Sequence, residues 1–152
     1  MSIRIVAIGK KHENWVAEGI ERYQTRLKKP FDVRWDLLPH SAREGLTARQ
    51  EESERLLKHL QDDDVVFLLD ERGKLYDSPH LSHLLLQPLE RSRQVVIIIG
   101  GAYGVDENVR KRADLIWSLS PLVFPHQLVR LLLIEQLYRA QEIAAGHPYH
   151  HS

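Results

Sequence analysis

Two patterns alternate along this chain. Short, nearly unbroken apolar runs are separated by longer stretches in which apolar positions return every three or four residues. Ile3–Ile8, Val65–Leu69 and Val95–Ile99 are of the first kind and predict buried strands. Phe31, Val33, Trp35 and Leu37 alternate with polar residues, which predicts a half-buried strand, and Leu115–Leu119 predicts a further short one. In residues 12–28, Val16, Ile20, Tyr23 and Leu27 are spaced four, three and four apart, the spacing of one helix face. Thr47 and Gln50 predict a capping box before a helix through Leu60. Ser78-Pro79 predicts an N-cap and first helical residue, and Pro88 should end or kink that helix. Asp106 is placed to cap a short helix through Arg112, and a long last helix runs from about His126 to Ala145, stopped by Gly146 and Pro148. Pro39–Gly45 and Ser120–Pro125 read as loops and Asp70–Lys74 as a turn. The order predicts an α/β fold with a mostly parallel sheet flanked by helices, and 152 residues suit one domain, 1–152.

Ligands of an open parallel sheet bind at the carboxyl ends of its strands. Three such ends stand out: Leu69-Asp70, Gly100-Gly101 and Leu119-Ser120. Paired glycines after a buried strand let backbone approach a ligand, or else form a tight turn packed on itself. The spacing Gly-Gly-x-x-Gly is not the dinucleotide pattern, and Ser120 stands about twenty residues on, where an acid would bind a ribose. The last helix carries Leu128, Val129, Leu131, Leu132, Leu133, Ile134, Leu137 and Ile143 around most of its circumference. Such a helix is buried on more than one side, at a subunit interface or in the centre of the monomer. Its few polar residues include Arg130, Glu135, Arg139 and Glu142, of which Glu135 and Arg139 are spaced to pair.

Composition changes this picture little. Lys plus Arg and Asp plus Glu are 21 each, so net charge does not draw the chain to nucleic acid. The distribution is uneven: residues 1–34 hold eight basic residues against four acidic, and residues 51–72 the reverse, eight acidic against three basic. Arg22, Arg26, Lys28 and Lys29 form a face able to meet phosphate, or an ordinary solvated helix surface. The absence of cysteine excludes disulfides and thiolate chemistry. No export signal or membrane-length apolar run is seen, so a cytoplasmic protein is expected. Four of the nine histidines lie at or after His126, but none is spaced with an acid as a helical metal site requires, and no metal is expected.

Longer motifs go further. Ile99-Gly100-Gly101-Ala102-Tyr103-Gly104 resembles the Gly-Gly loop of the SPOUT methyltransferases. Trp117-Ser118-Leu119-Ser120, Phe124–Arg130, Glu135–Ala140 and His147-Pro148-Tyr149-His150 are similar to the ribosomal RNA large subunit methyltransferase H family, as are Ile5–Lys10 and Leu69-Asp70. The resemblance covers essentially the whole chain. It implies a SPOUT-type α/β fold with a C-terminal trefoil knot. It also implies a homodimer that uses S-adenosylmethionine to methylate N3 of a pseudouridine in helix 69 of 23S rRNA, on the assembled 70S ribosome. Carried onto this chain, it implies cofactor binding by Leu69, Gly100, Leu119, Ser120, Pro121, Leu122, Val123 and Phe124. Val123 stands where the family often has Thr, so any hydroxyl contact there is lost while backbone contacts survive. Arg139, Tyr149 and His150 are the catalytic candidates. The arginine would stabilise the imidate or position RNA, and the rings would stack on or orient the base, with His150 a possible proton acceptor. The alternatives are a methyltransferase of another RNA such as tRNA, and a non-catalytic ribosome-assembly factor.

Overall fold

The computed structural model describes residues 2–151. Ten elements follow in order: β1 (Ile3–Ile8), α1 (Asn14–Gln24), β2 (Val33–Leu38), α2 (Gly45–Lys58), β3 (Val65–Leu75), α3 (Ser78–Glu90), β4 (Val95–Ile99), α4 (Glu107–Arg112), β5 (Leu115–Ser118) and α5 (His126–Ala144). The strands form one sheet in the order β2-β1-β4-β3-β5, every neighbouring pair parallel. Side chains alternate across a strand, so both faces of this sheet need cover. Ile3, Ile5 and Ala7 with Val95, Ile97 and Ile99 face one layer, where α1, α3 and α5 supply Val16, Leu85 and Leu133. Val6 and Ile8 with Val96 and Ile98 face the other, where α2 and α4 supply Leu56 and Val109. The predicted α/β class and buried strands are therefore present.

Several predicted boundaries are not. Helix α1 ends at Gln24 rather than near Lys28, because the following amides of Arg26 and Leu27 bond three residues back and tighten the chain. Helix α2 starts at Gly45, whose φ of +61° turns the chain straight into it, so Thr47 is interior and the capping box does not form. Residues 70–74 are not a free turn: β3 continues to Leu75 through a register shift against β5, and Lys74 pairs with Trp117. There a Cβ on Gly73 would lie 2.8 Å from the backbone of Ile116 and Trp117, a gap only glycine fills. The cap of α3 is Asp77, whose carboxylate accepts from the His80 amide at 2.8 Å, one residue before the expected Ser78. Pro88 sits in the last turn, where few helical bonds remain to be lost, and α3 runs on to Glu90. Asp106 caps α4 as expected.

Helix α5 lies between α1 and α3. Leu133, Ile134, Leu137 and Ala140 are fully buried, and no residue from Gln127 to Ile143 is exposed. Much of its apolar circumference is thus satisfied within the chain, as the monomer-centre alternative expects. Among the described residues, no helix is long and apolar enough to cross a membrane.

Candidate active site

The carboxyl ends of β3, β4 and β5 open onto a cleft of about 500 Å³. Its walls are Leu69–Arg72 on β3, Ile99–Val105 at the end of β4 and beyond it, and Leu119, Ser120, Leu122, Val123 and Phe124 after β5, with Arg49 of α2 and His126 and Val129 of α5 also lining it. Seven residues implied as cofactor ligands line it: Leu69, Gly100, Leu119, Ser120, Leu122, Val123 and Phe124. Pro121 is exposed and does not. The 119–125 loop is shaped locally. The Ser118 hydroxyl donates to the Ser120 carbonyl at 2.9 Å, and the Ser120 hydroxyl accepts from the Leu122 amide at 3.0 Å. Leu122 and Val123 are left 69% and 77% exposed on the rim, apolar surface that the chain's own core does not use.

The paired glycines are both a tight turn and a wall. Gly104, at φ +75°, donates its amide to the Gly101 carbonyl at 3.0 Å. A Cβ on Gly100 would come within 2.9 Å of Val105 Cγ1, and one on Gly101 within 2.6 Å of Glu52 Oε1. Both missing side chains would point beneath the loop, so a substitution acts first by lifting the backbone and only then on the cleft.

At the far end of α5, the structure brings Arg139, Tyr149 and His150 together. Arg139 donates to Glu135 Oε2 at 2.7 Å and lies 4.8 Å over the Tyr149 ring, while the Tyr149 hydroxyl donates to the same Glu135 oxygen at 2.9 Å. Arg139 Nη1 stands 3.1 Å from His150 Nδ1. The tail reaches this position because Gly146 turns it back at φ +73° and the His147 amide bonds the Glu142 carbonyl. The hydrogen bond to Glu135 raises the Arg139 pKa despite some burial, so the guanidinium stays charged. Burial, then the bond to Glu135, pushes the Tyr149 phenol up to about 12. Arg139 and Tyr149 do not line the cleft; His150 borders an adjoining groove, which shares Leu119 and Phe124 with it. The predicted basic face lies beside this cluster in the same chain. The Lys28 amide bonds Gln141 of α5, and Arg26 lies 6.0 Å over Tyr138, which packs on Tyr149.

Sequence reading missed two buried charges behind the cleft. Arg130, 1% exposed, donates to the carbonyls of Ile8, Gly9 and Lys11 and, among the described residues, meets no carboxylate; burial lowers its pKa. Its signal was a single cation inside the apolar run Leu128–Ile134 of α5. Glu52, 2% exposed, accepts from the Ser41 amide at 3.0 Å, and its other oxygen lies unpartnered under Gly101. Nothing in the acidic stretch around Glu52 marks it as different. Among the described residues, no group of three or more His, Asp or Glu is placed to hold a metal.

The family model described as "Predicted SPOUT methyltransferase" matches residues 1–150. Proteins named "Ribosomal RNA large subunit methyltransferase H" are similar along the whole length. Those of Alkalilimnicola ehrlichii and Desulfitobacterium hafniense are each 42% identical, covering 99% of both chains. That of Allorhizobium ampelinum is 41% identical and covers all of both. The chain belongs to the ribosomal RNA large subunit methyltransferase H family of SPOUT methyltransferases. The match runs through both parts of the site. In this SPOUT methyltransferase family member, the cleft gathers residues from three strand ends, while Arg139, Tyr149 and His150 belong to the last helix and the tail folded over it.

Proposed function

We propose that this protein transfers a methyl group from S-adenosylmethionine to N3 of a pseudouridine in helix 69 of 23S rRNA, acting as a homodimer on assembled 70S ribosomes in the cytoplasm. The relatives' name supports a large-subunit rRNA substrate, and the resemblance of the C-terminal motif supports the particular nucleotide. The cleft fits the cofactor in size and in its exposed loop backbone. Leu69, Gly100, Leu119, Ser120, Leu122, Val123 and Phe124 would hold it, with Pro121 bracing the loop. The bound cofactor supplies a methyl group already activated on a sulfonium.

The observation that carries the reading is the division of the site along α5. Cleft-lining Val129 stands in its first turn and Arg139 ten residues on, about 15 Å at the rise of a helix. A methyl group in the cleft and a base held by Arg139 of the same chain are too far apart to react. A two-fold partner bringing its own Arg139, Tyr149 and His150 to this cleft closes that gap. Arg139 would then favour the imidate form of the base, and the Tyr149 ring would stack on it. Arginine has no acceptor, so His150 Nδ1 accepts from Arg139, which leaves Nε2 as the ring's N–H. His150 thus presents a donor, which suits orienting a carbonyl better than taking a proton. Arg22, Arg26, Lys28 and Lys29 beside the same cluster would hold the rRNA backbone. The reading includes a trefoil knot; the tight passage of Gly73 against Ile116 and Trp117 is consistent with it.

Subunit mixing tests the division. Arg139→Ala protein and a cofactor-cleft variant, Gly100→Val, are each expected to be inactive in tritiated methyl transfer to ribosomes carrying the pseudouridine. Random exchange should restore about a quarter of wild-type sites, since a mixed dimer has one intact composite site. Mixtures that stay inactive, although exchange is demonstrated, refute the shared site. Equal methylation of ribosomes lacking the pseudouridine refutes the nucleotide. Methylation of neither, by protein that binds the cofactor, favours tRNA or ribosome assembly.

A further inference from the structure

We infer that His126 is the proton acceptor of methyl transfer, taking the N3 proton of the target base from its place in the wall of the cleft. The inference rests on the cleft being the cofactor site. His126 opens α5 and lines the cleft beside the Leu119–Phe124 loop, partly covered by the cleft walls and with one edge left exposed. Among the described residues no side-chain hydrogen bond acts on its ring. That is the opposite of His150, whose Nδ1 is occupied by Arg139, and of His12, whose Nδ1 stands 3.2 Å from Arg130 Nη1.

The groups packed around His126 keep it unprotonated. Arg130 lies one turn along α5, His40 comes from the β2–α2 loop, Glu52 from α2, and Arg49 shares the cleft wall. Arg130 spends its hydrogen bonds on backbone carbonyls and on His12, and among the described residues no carboxylate pairs with its charge. Burial first, then Arg130 and His40, hold the imidazole below its ordinary value, and Glu52 only partly opposes them. The N-terminal end of a 19-residue helix acts in the same direction. A neutral imidazole without a hydrogen-bond partner among the described residues, in the wall of the cleft, is what a general base requires.

The step balances. The N3 proton passes to the imidazole as the N3–carbon bond forms and the sulfur–carbon bond of the donor breaks. The donor's positive charge thereby disappears, and the imidazolium carries one until the proton leaves through its exposed edge. No further reactant is needed.

The test compares wild type and His126→Asn in single turnovers across pH, saturated with S-adenosylmethionine and pseudouridine-bearing ribosomes. The wild-type rate should rise along an acid limb centred below the ordinary imidazole pKa. The variant should lack that limb and be slower by about 100-fold or more, with cofactor affinity unchanged. Added imidazole should partly rescue His126→Ala. Independently of activity, NMR titration of the cofactor-bound wild type should show His126 neutral at pH 7, and its ring resonance should move when cofactor is added. A folded, cofactor-binding His126→Asn that keeps the rate and the limb overturns the inference, as does a His126 resonance that ignores the cofactor. Wild-type protein that binds cofactor, with His126 responding, but methylates no ribosome refutes the substrate reading and the inference with it.

Discussion

Tyr149 donates its hydroxyl to a carboxylate that Arg139 also grips, and burial adds to the cost of ionising it. Its folded pKa of about 12 exceeds that of an unfolded tyrosine, so only the protonated form supports the docked tail. That contribution is complete below pH about 10 and fades as the pH approaches the folded value. The difference in phenolate absorbance between wild type and Tyr149→Phe should therefore titrate near 12. Glu135→Gln should bring it down toward the ordinary value. A difference titration already centred near 10 would mean the tail is not docked in solution. The same contacts predict that Arg139→Ala lowers the rate at saturating ribosome far more than it weakens ribosome binding. At this scale the sequence motif carried Arg139, Tyr149 and His150, but not the charges of Arg130 and Glu52. A residue's burial depends on what other segments place over it. Arg130 bonds Ile8, 122 positions away, and no local pattern records that contact.

Strands were legible as unbroken apolar runs or period-two alternation, and helices by a period of three to four residues; their ends were less so. The clearest case is β3, where polar residues and Gly73 suggest a turn but the chain stays paired with β5 through a register shift. Gly73 is needed there for close backbone approach. Gly73→Ala should force the backbones of β3 and β5 apart and destabilise the protein by about 1–3 kcal/mol, as over-packing does. Chemical denaturation measures it, and a variant as stable as wild type would mean the two segments do not touch. Because Gly73 follows cleft-lining Arg72 within the register shift, cofactor affinity should fall as well. Helix α5 was legible as a buried helix but not in what buries it. Its composition permits a monomer core or a dimer interface alike, and α1, α3 and the folded-back tail take most of its surface.

For the whole molecule, the split between the two ends of α5 predicts a dimer in solution. Sedimentation at micromolar concentration should give about twice the chain mass of 17.7 kDa; a monomer alone would leave the composite site without a second half. The uncharged balance of the chain predicts that RNA affinity comes from local clusters. Lys28→Ala with Lys29→Ala should weaken ribosome binding and flatten its dependence on salt, while leaving the rate at saturation nearly intact. By itself, the sequence determined the α/β class, the buried strands, the family and the residues of its motifs, because periodicity and short motifs are properties of neighbouring positions. Only the tertiary structure decided the strand order β2-β1-β4-β3-β5, the gathering of three strand ends into one cleft, and the placing of Arg139 outside it, further along α5. It also decided that His126 stands among Arg130, His40 and Glu52 with no side-chain hydrogen bond on its ring among the described residues. The reason is physical: these features are contacts between segments far apart in the chain, chosen by how the layers pack and not by any segment's own preference.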